Sequence, residues 1–281
     1  MSVRILTDST SDILPQEARS MDITVVPLQV LFGDQAFRDN LDITHEEFYA
    51  RLASSKKLPT TTQLTPDAFL SDFQAAKAAG DSLVCVLLAS KLSGTLQSAL
   101  IAKEMCGYDG IYIVDSGQAT VGIRILVDLA CLLRQEGRSA DEIVRELDRA
   151  KSRVRLYAMV DTLEYLHRGG RLPAAVKVVG SLLHVKPLIT LRDGQLAVLG
   201  KGIGTKSALN ELLALPGDPL PMDPRLPLYY GYTANRTLCD KLMVLSNQKF
   251  HPKRTLCCSV GAVIGTHAGP GAVVLAYLER D

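Results

Sequence analysis

Leu83 to Leu88 is a continuous apolar run bounded by polar residues, too short to cross a membrane and matched to a strand buried on both faces. Val3 to Leu6, Ile23 to Val26, Leu28 to Phe32 and Ile111 to Val114 are shorter runs of the same character. Between them the apolar spacing becomes helical. One such stretch is Ile43 to Leu52, capped near Thr44 with Glu47 placed for a capping box. Others start at Thr65-Pro66-Asp67 and run to about Ala79, follow Ser93 with Leu96, Ala99 and Leu100 on one side, and extend from about Gln118 to Glu136 with most of one side apolar. Asp141 to Lys151 reads as a charged amphipathic helix. Alternation of strand and helix predicts βαβ units and a parallel, doubly wound sheet.

After Lys151 the rhythm changes. Val154 to Val160 reads as a strand, Asp161 to Leu166 as a short helix stopped by Gly169-Gly170, and Pro173 to about Leu183 as another helix. Lys186 to Leu191 and Gln195 to Leu199 form a hairpin through Arg192-Asp193-Gly194. Helices at Thr205 to Leu215 and Ala234 to Leu245 flank a Pro-rich loop and the strand Leu228 to Gly231. Strands at Arg254 to Ser259 and Gly271 to Ala276 finish the chain. The expectation is a two-domain α/β protein, with a parallel doubly wound sheet in 1–153 and a smaller α/β unit with a mixed or antiparallel sheet in 154–281.

Polar residues gather where the first strands end, at 7–12, 90–95 and 115–118, along one edge of that sheet. Ser93, Gly94 and Thr95 stand between a strand and a helix start. Two uses fit them: a helix cap beside a tight turn, or an anion site at unpaired N–H groups and the positive end of the helix dipole. Asp8 and Asp115 fit turns and caps, or general-base and metal-ligand roles. Thr60, Thr61, Thr62 and Gln63 read as an exposed, hydroxyl-rich loop that gains meaning if it faces Ser93. Gly265, Gly269 and Gly271 place Thr266 and His267 on a loop, where the imidazole is either structural or presented to a ligand. His167, Arg168, Arg171 and Lys177 make a basic segment, either a solvated face or a contact for an anionic ligand or partner.

Composition narrows the classes. A net charge of +1, no tryptophan and 5% aromatic residues argue against a nucleic-acid surface. Six cysteines without a CxxC pair read as reduced thiols, and no metal site is expected. The amino terminus runs directly into a strand, which predicts no signal peptide, no membrane span and a cytoplasmic location. Nothing resembles a GxxxxGK[ST] phosphate loop, and no cofactor is expected.

Eight stretches together resemble one family, the DegV-like fatty-acid-binding proteins of bacteria. They are TDSTSDI at 7–13, PLQVLFGDQAFRD at 27–39, PTTTQLTPDAF at 59–69, SKLSGTLQSA at 90–99, VDS at 114–116, DTLEYLHRGGRL at 161–172, LLHVKPLI at 182–189 and IGTHAGPGA at 264–272. The resemblance implies two α/β domains with a long-chain fatty acid in the crevice between them. It further implies that Thr61, Ser93 and His267 hold the carboxyl group, with Thr62, Gly94, Thr95 and Thr266 in supporting loops. Such a carrier, itself no enzyme, presents its acid to a separate fatty acid kinase that supplies ATP and metal and makes the acyl phosphate for phospholipid metabolism. Two positions depart from the family pattern: Leu64 replaces a proline, and Gly204 stands where an arginine is frequent. The second removes a residue that could contact the kinase, although Lys201 and Lys206 lie nearby.

Two other function classes fit parts of the pattern. A hydrolase or acyltransferase would use Ser93 as nucleophile, His267 as base and Asp8 or Asp115 as orienter, although Ser93 lacks a G-x-S-x-G elbow. A regulator acting through protein contacts would have a tight partner and no small ligand.

Overall fold

The structure, a computed structural model, describes residues 2–174 and 184–281. The chain opens with β1 (Val3–Asp8), a 3-10 turn at Ser9–Ser11, α1 (Pro15–Met21) and β2 (Thr24–Val26). It continues through β3 (Gln29–Phe32), β4 (Gln35–Arg38), α2 (His45–Ser54), β5 (Thr60–Thr62), α3 (Asp67–Ala79) and β6 (Ser82–Leu87). Then come α4 (Thr95–Cys106), β7 (Ile111–Asp115), α5 (Val121–Gln135) and α6 (Ala140–Ala150). Four of these strands form a wholly parallel sheet in the order β2-β1-β6-β7, as the alternating pattern requires. The chain steps from β1 outward to β2 and later returns on the other side with β6, so strand order reverses between β1 and β6. A crevice at the carboxyl ends of such strands is where open α/β sheets bind ligands.

The remaining elements are β8 (Val154–Met159), α7 (Glu164–Arg168), β9 (Val185–Arg192), β10 (Gln195–Ile203), α8 (Gly204–Ala214), β11 (Leu228–Tyr232), α9 (Thr237–Phe250), β12 (Thr255–Ser259), α10 (Ala262–Ala268) and β13 (Val273–Leu278). Their sheet runs β10-β9-β8-β13-β11-β12, antiparallel except for the parallel pair β11–β12, and is therefore mixed. It has six strands against the four of the parallel sheet, although fewer residues build this half. The helix expected from Pro173 to Leu183 falls largely outside the described residues.

Helix α5 joins the two sheets. Its expected one-sided apolar face is in fact buried all round, with Ile123, Ile125, Leu126, Val127 and Leu129 at 0% exposure. The parallel sheet touches one side of it and strands β8, β11 and β13 the other.

Two local expectations are corrected. The hydroxyl-rich stretch at 60–63 is not wholly a loop: Thr60–Thr62 is β5, the edge of a small antiparallel sheet ordered β4-β3-β5, with Val30 opposite Thr61. Three β-branched residues in succession suit an extended backbone once β3 supplies the partner. His267 lies on α10, a seven-residue helix, and not on a loop. Gly269, at φ 72°, ends that helix in a conformation that favours glycine. Among the described residues no helix is long and apolar enough to cross a membrane.

Candidate functional site

A cavity of about 110 Å³ lies between the carboxyl ends of the parallel strands and the inner face of the mixed sheet. Strand alternation builds its floor: Leu156, Ala158 and Val160 point the same way from β8 and its end, beside Ile189 of β9 and Val274 of β13. Leu88 and Leu92, at and just after the end of β6, close it from the parallel-sheet side, and α10 contributes Val263 and Ile264. Most of the lining is apolar.

Its polar residues include Thr61, Thr62, Ser93, Arg171 and His267. Thr61 Oγ1 and His267 Nε2 are 2.9 Å apart, which joins β5 to the last turn of α10 across 206 positions of sequence. The imidazole is tightly seated: a methyl group at Gly169 would stand 2.2 Å from its Nδ1. That Nδ1 is buried without a hydrogen-bond partner. Burial, reinforced by the Arg171 charge, pushes His267 down to about 4, so the ring is neutral at neutral pH. Arg171 supplies the positive charge, its Nε bonded to the Leu92 carbonyl at 3.2 Å and its Nη1 to the Gly169 carbonyl at 2.7 Å.

Of the two uses suggested for Ser93, the structure shows the helix-start bond, and it also turns the side chain to the cavity. Its Oγ accepts from the Thr95 N–H at 3.3 Å, a capping bond at the start of α4, and the same side chain lines the cavity. Gly94, Thr95 and Thr266 stand behind the lining. Gly94 packs on the Gln63 side chain, Thr95 is fully buried with its Oγ1 3.0 Å from Ser93 Oγ, and Thr266 donates to the Ala262 carbonyl within α10. Thus Thr61, Thr62, Ser93 and His267 converge on one cavity, whereas Gly94 and Thr95 stand behind Ser93 and Thr266 beside His267 within α10. Arg171 was visible in sequence only as part of a basic segment. Its place in the lining follows from the turn after α7, which the HRGGR run makes but does not aim.

The arrangement does not form a Ser-His-Asp relay. His267 Nε2 is engaged by Thr61, Ser93 Oγ lies against Thr95, and both candidate orienters are committed elsewhere. Asp8 accepts the Leu88 N–H at 2.8 Å and the Thr10 N–H at 2.9 Å, which ties β1 to β6. Asp115 accepts from the Ser90 N–H at 3.2 Å and the Gly117 N–H at 3.0 Å. Among the described residues no group of three or more His, Cys, Asp and Glu could hold a metal ion.

Two buried carboxyls moor the helix that carries His267. Asp12 accepts the Gly261 N–H at 2.8 Å and bonds Thr120, and Asp39 accepts the Ala262 N–H at 3.0 Å. Burial pushes Asp12 up to about 8 and Asp39 to about 6. A carboxyl that holds its proton more tightly when folded contributes stability that is full below its ordinary range and is lost as pH rises through the folded value. Asp39 titrates near 6 and histidines of the unfolded chain near 6.5, so among these groups the slope from about pH 7 to 8 comes mainly from Asp12. There stability is expected to fall by up to about 1.4 kcal/mol per pH unit. Asp12→Asn, which also suits the left-handed backbone at this position, should flatten that slope in chemical denaturation series. An unchanged slope would refute the assignment.

Comparison with known proteins shows the family and the fold. A family model described as DegV, an uncharacterised protein family, matches residues 2–280. A DegV domain-containing protein of Caldanaerobacter subterraneus subsp. tengcongensis is 34% identical over 278 residues, covering 99% of each chain. A fatty-acid-binding DegV family protein from Thermus thermophilus superposes with a TM-score of 0.88 at 31% identity, over 99% of this chain and all of the other. A stearic acid-binding protein from Eubacterium ventriosum gives a TM-score of 0.90 at 25% identity, over 99% of this chain and 98% of the other. The family match spans residues 2–280 and so takes in both sheets, and the chain belongs to the DegV family.

Proposed function

We propose that this protein is a carrier that binds a long-chain fatty acid, with the acyl chain in the cavity and the carboxyl group at Thr61, Ser93 and His267. The observation that carries the reading is a predominantly apolar cavity into which hydroxyls, a neutral imidazole and one guanidinium converge. The fatty-acid-binding relatives from Thermus thermophilus and Eubacterium ventriosum support it. On this reading the chain divides into domains 1–153 and 154–281 with the ligand between them, and it works in the cytoplasm, in keeping with six unpaired cysteines.

The division of labour follows from magnitudes. A buried methylene contributes roughly 0.8 kcal/mol, so a long chain gains on the order of 10 kcal/mol gross. Each hydrogen bond to a charged carboxylate adds about 1.5–3 kcal/mol. The tail sets affinity and the polar cluster sets orientation. With the carboxyl held among Thr61, Ser93 and His267, each only partly buried, it would be accessible to a fatty acid kinase that supplies the ATP and metal for acyl-phosphate formation.

Delipidated protein titrated with stearic acid tests the binding step. At a hundredfold excess over Kd the gain is about 2.7 kcal/mol, which corresponds to a Tm rise of roughly 5–10 °C for a chain of this size. The methyl ester of the same acid should give a distinctly smaller rise. Equal shifts would remove the carboxyl group from the account, and hydrolysis of the ester would favour chemistry at Ser93.

A further inference from the structure

The cavity has a built far end. On β8 the side chains of Val160, Ala158 and Leu156 step along the floor at about 6.6 Å per pair of residues, roughly 13 Å in all, starting beside α10 and its His267. The middle row is Val274, Ala158 and Ile189, held opposite one another by the pairing of β13, β8 and β9. One antiparallel step further brings Leu191 opposite Leu156, and Leu196 faces Leu191 across β9 and β10. Three leucines therefore close the floor at the end away from the polar cluster.

A second compartment of about 450 Å³ starts on the other side of that row. Its lining includes the charged side chains Lys91, Asp115, Lys151, Arg155 and Arg192, and it shares Leu191 with the apolar cavity. From the opposite wall comes Gln118, 5% exposed, which lines the second compartment and leaves its Oε1 without a hydrogen-bond partner. A methyl group at Gly122 would stand 2.8 Å from that oxygen and 3.2 Å from Leu156 Cδ1, so the amide and the leucine face each other across Gly122. A buried amide oxygen without a partner is costly, and here it lies beside Leu156, which lines the apolar cavity.

We propose that Leu156, Leu191 and Leu196, backed by Gln118, are the chain-length stop of the acyl cavity. This rests on the fatty-acid reading and adds to it the residues that select the ligand. A tail that ends at the leucine row fills the floor. A longer one must displace Leu191 and push its terminal methyl toward the cations and the amide of the second compartment, which gain nothing from it. Shortening a side chain in the row joins the two spaces, and enlarging one moves the end toward the polar cluster.

The test offers delipidated protein an equimolar series of saturated fatty acids of graded length, followed by denaturing extraction and mass spectrometry of what is retained. Relative to wild type, Leu191→Ala is expected to move the preferred length up by about two carbons, since it vacates roughly that volume. Gln118→Ala, a milder change to the fold, moves it the same way, and Leu191→Phe moves it down. If the Leu191 and Gln118 variants all keep the wild-type preference while retaining acid, the stop is not here, although the carrier reading stands. If neither wild type nor variants retain any acid, the carrier reading fails and this inference falls with it.

Discussion

Ala158→Phe is expected to leave a folded protein that no longer retains a long-chain acid. Ala158 sits in the middle row of the cavity floor, between Val274 and Ile189, and its side chain faces the cavity. A phenyl group there occupies the path to Leu156 and Leu191. Excluding the inner half of the chain forfeits the burial of about six methylenes, roughly 5 kcal/mol and more than a thousandfold in Kd. Because the ring projects into space that the native fold leaves to a ligand, the unliganded Tm should change little. Equilibrium binding of stearic acid to wild type and variant, with Tm measured on both, checks this. Undiminished affinity in a folded variant would move the acyl chain elsewhere.

Removing the polar cluster has the second largest effect and a different signature. The Ser93→Ala/His267→Ala double variant deletes a hydroxyl and an imidazole that both line the cavity, and it releases Thr61 Oγ1 from its 2.9 Å contact. At about 1.5–3 kcal/mol per bond to a charged group, affinity for the acid should fall about a hundredfold to a thousandfold or more. Affinity for the methyl ester should hardly change, and the preferred chain length should be that of wild type. Loss of acid and ester alike would point to a damaged fold. Loss of neither would show that the carboxyl group is held by other residues.

Much of the frame was legible because local physics and tertiary packing agree there. The Leu83–Leu88 run is apolar at every position since both faces of β6 are covered, and the Thr44–Glu47 capping box starts α2 where its pattern says. Legibility failed where a distant partner decides. Thr60–Thr62 carries no alternation, and only β3 makes it a strand. The apolar face of α5 could not announce a second sheet against its other side. In α10 the flanking glycines suggested a loop, yet Asp12 and Asp39, from far earlier in the chain, accept the N–H groups at its start. Convergence of Thr61 with His267 has no periodic signal at all; it was expected only through resemblance to a family. Arg171 was legible only as one member of a basic segment, because its position depends on how one short turn leaves α7.

The most direct test of the central claim is denaturing extraction and mass spectrometry of the purified protein. The account predicts that wild type releases an intact long-chain fatty acid in near-stoichiometric amount and that the Ser93→Ala/His267→Ala protein releases much less. A wild-type protein that comes out empty, and whose Tm no added fatty acid raises, would contradict it.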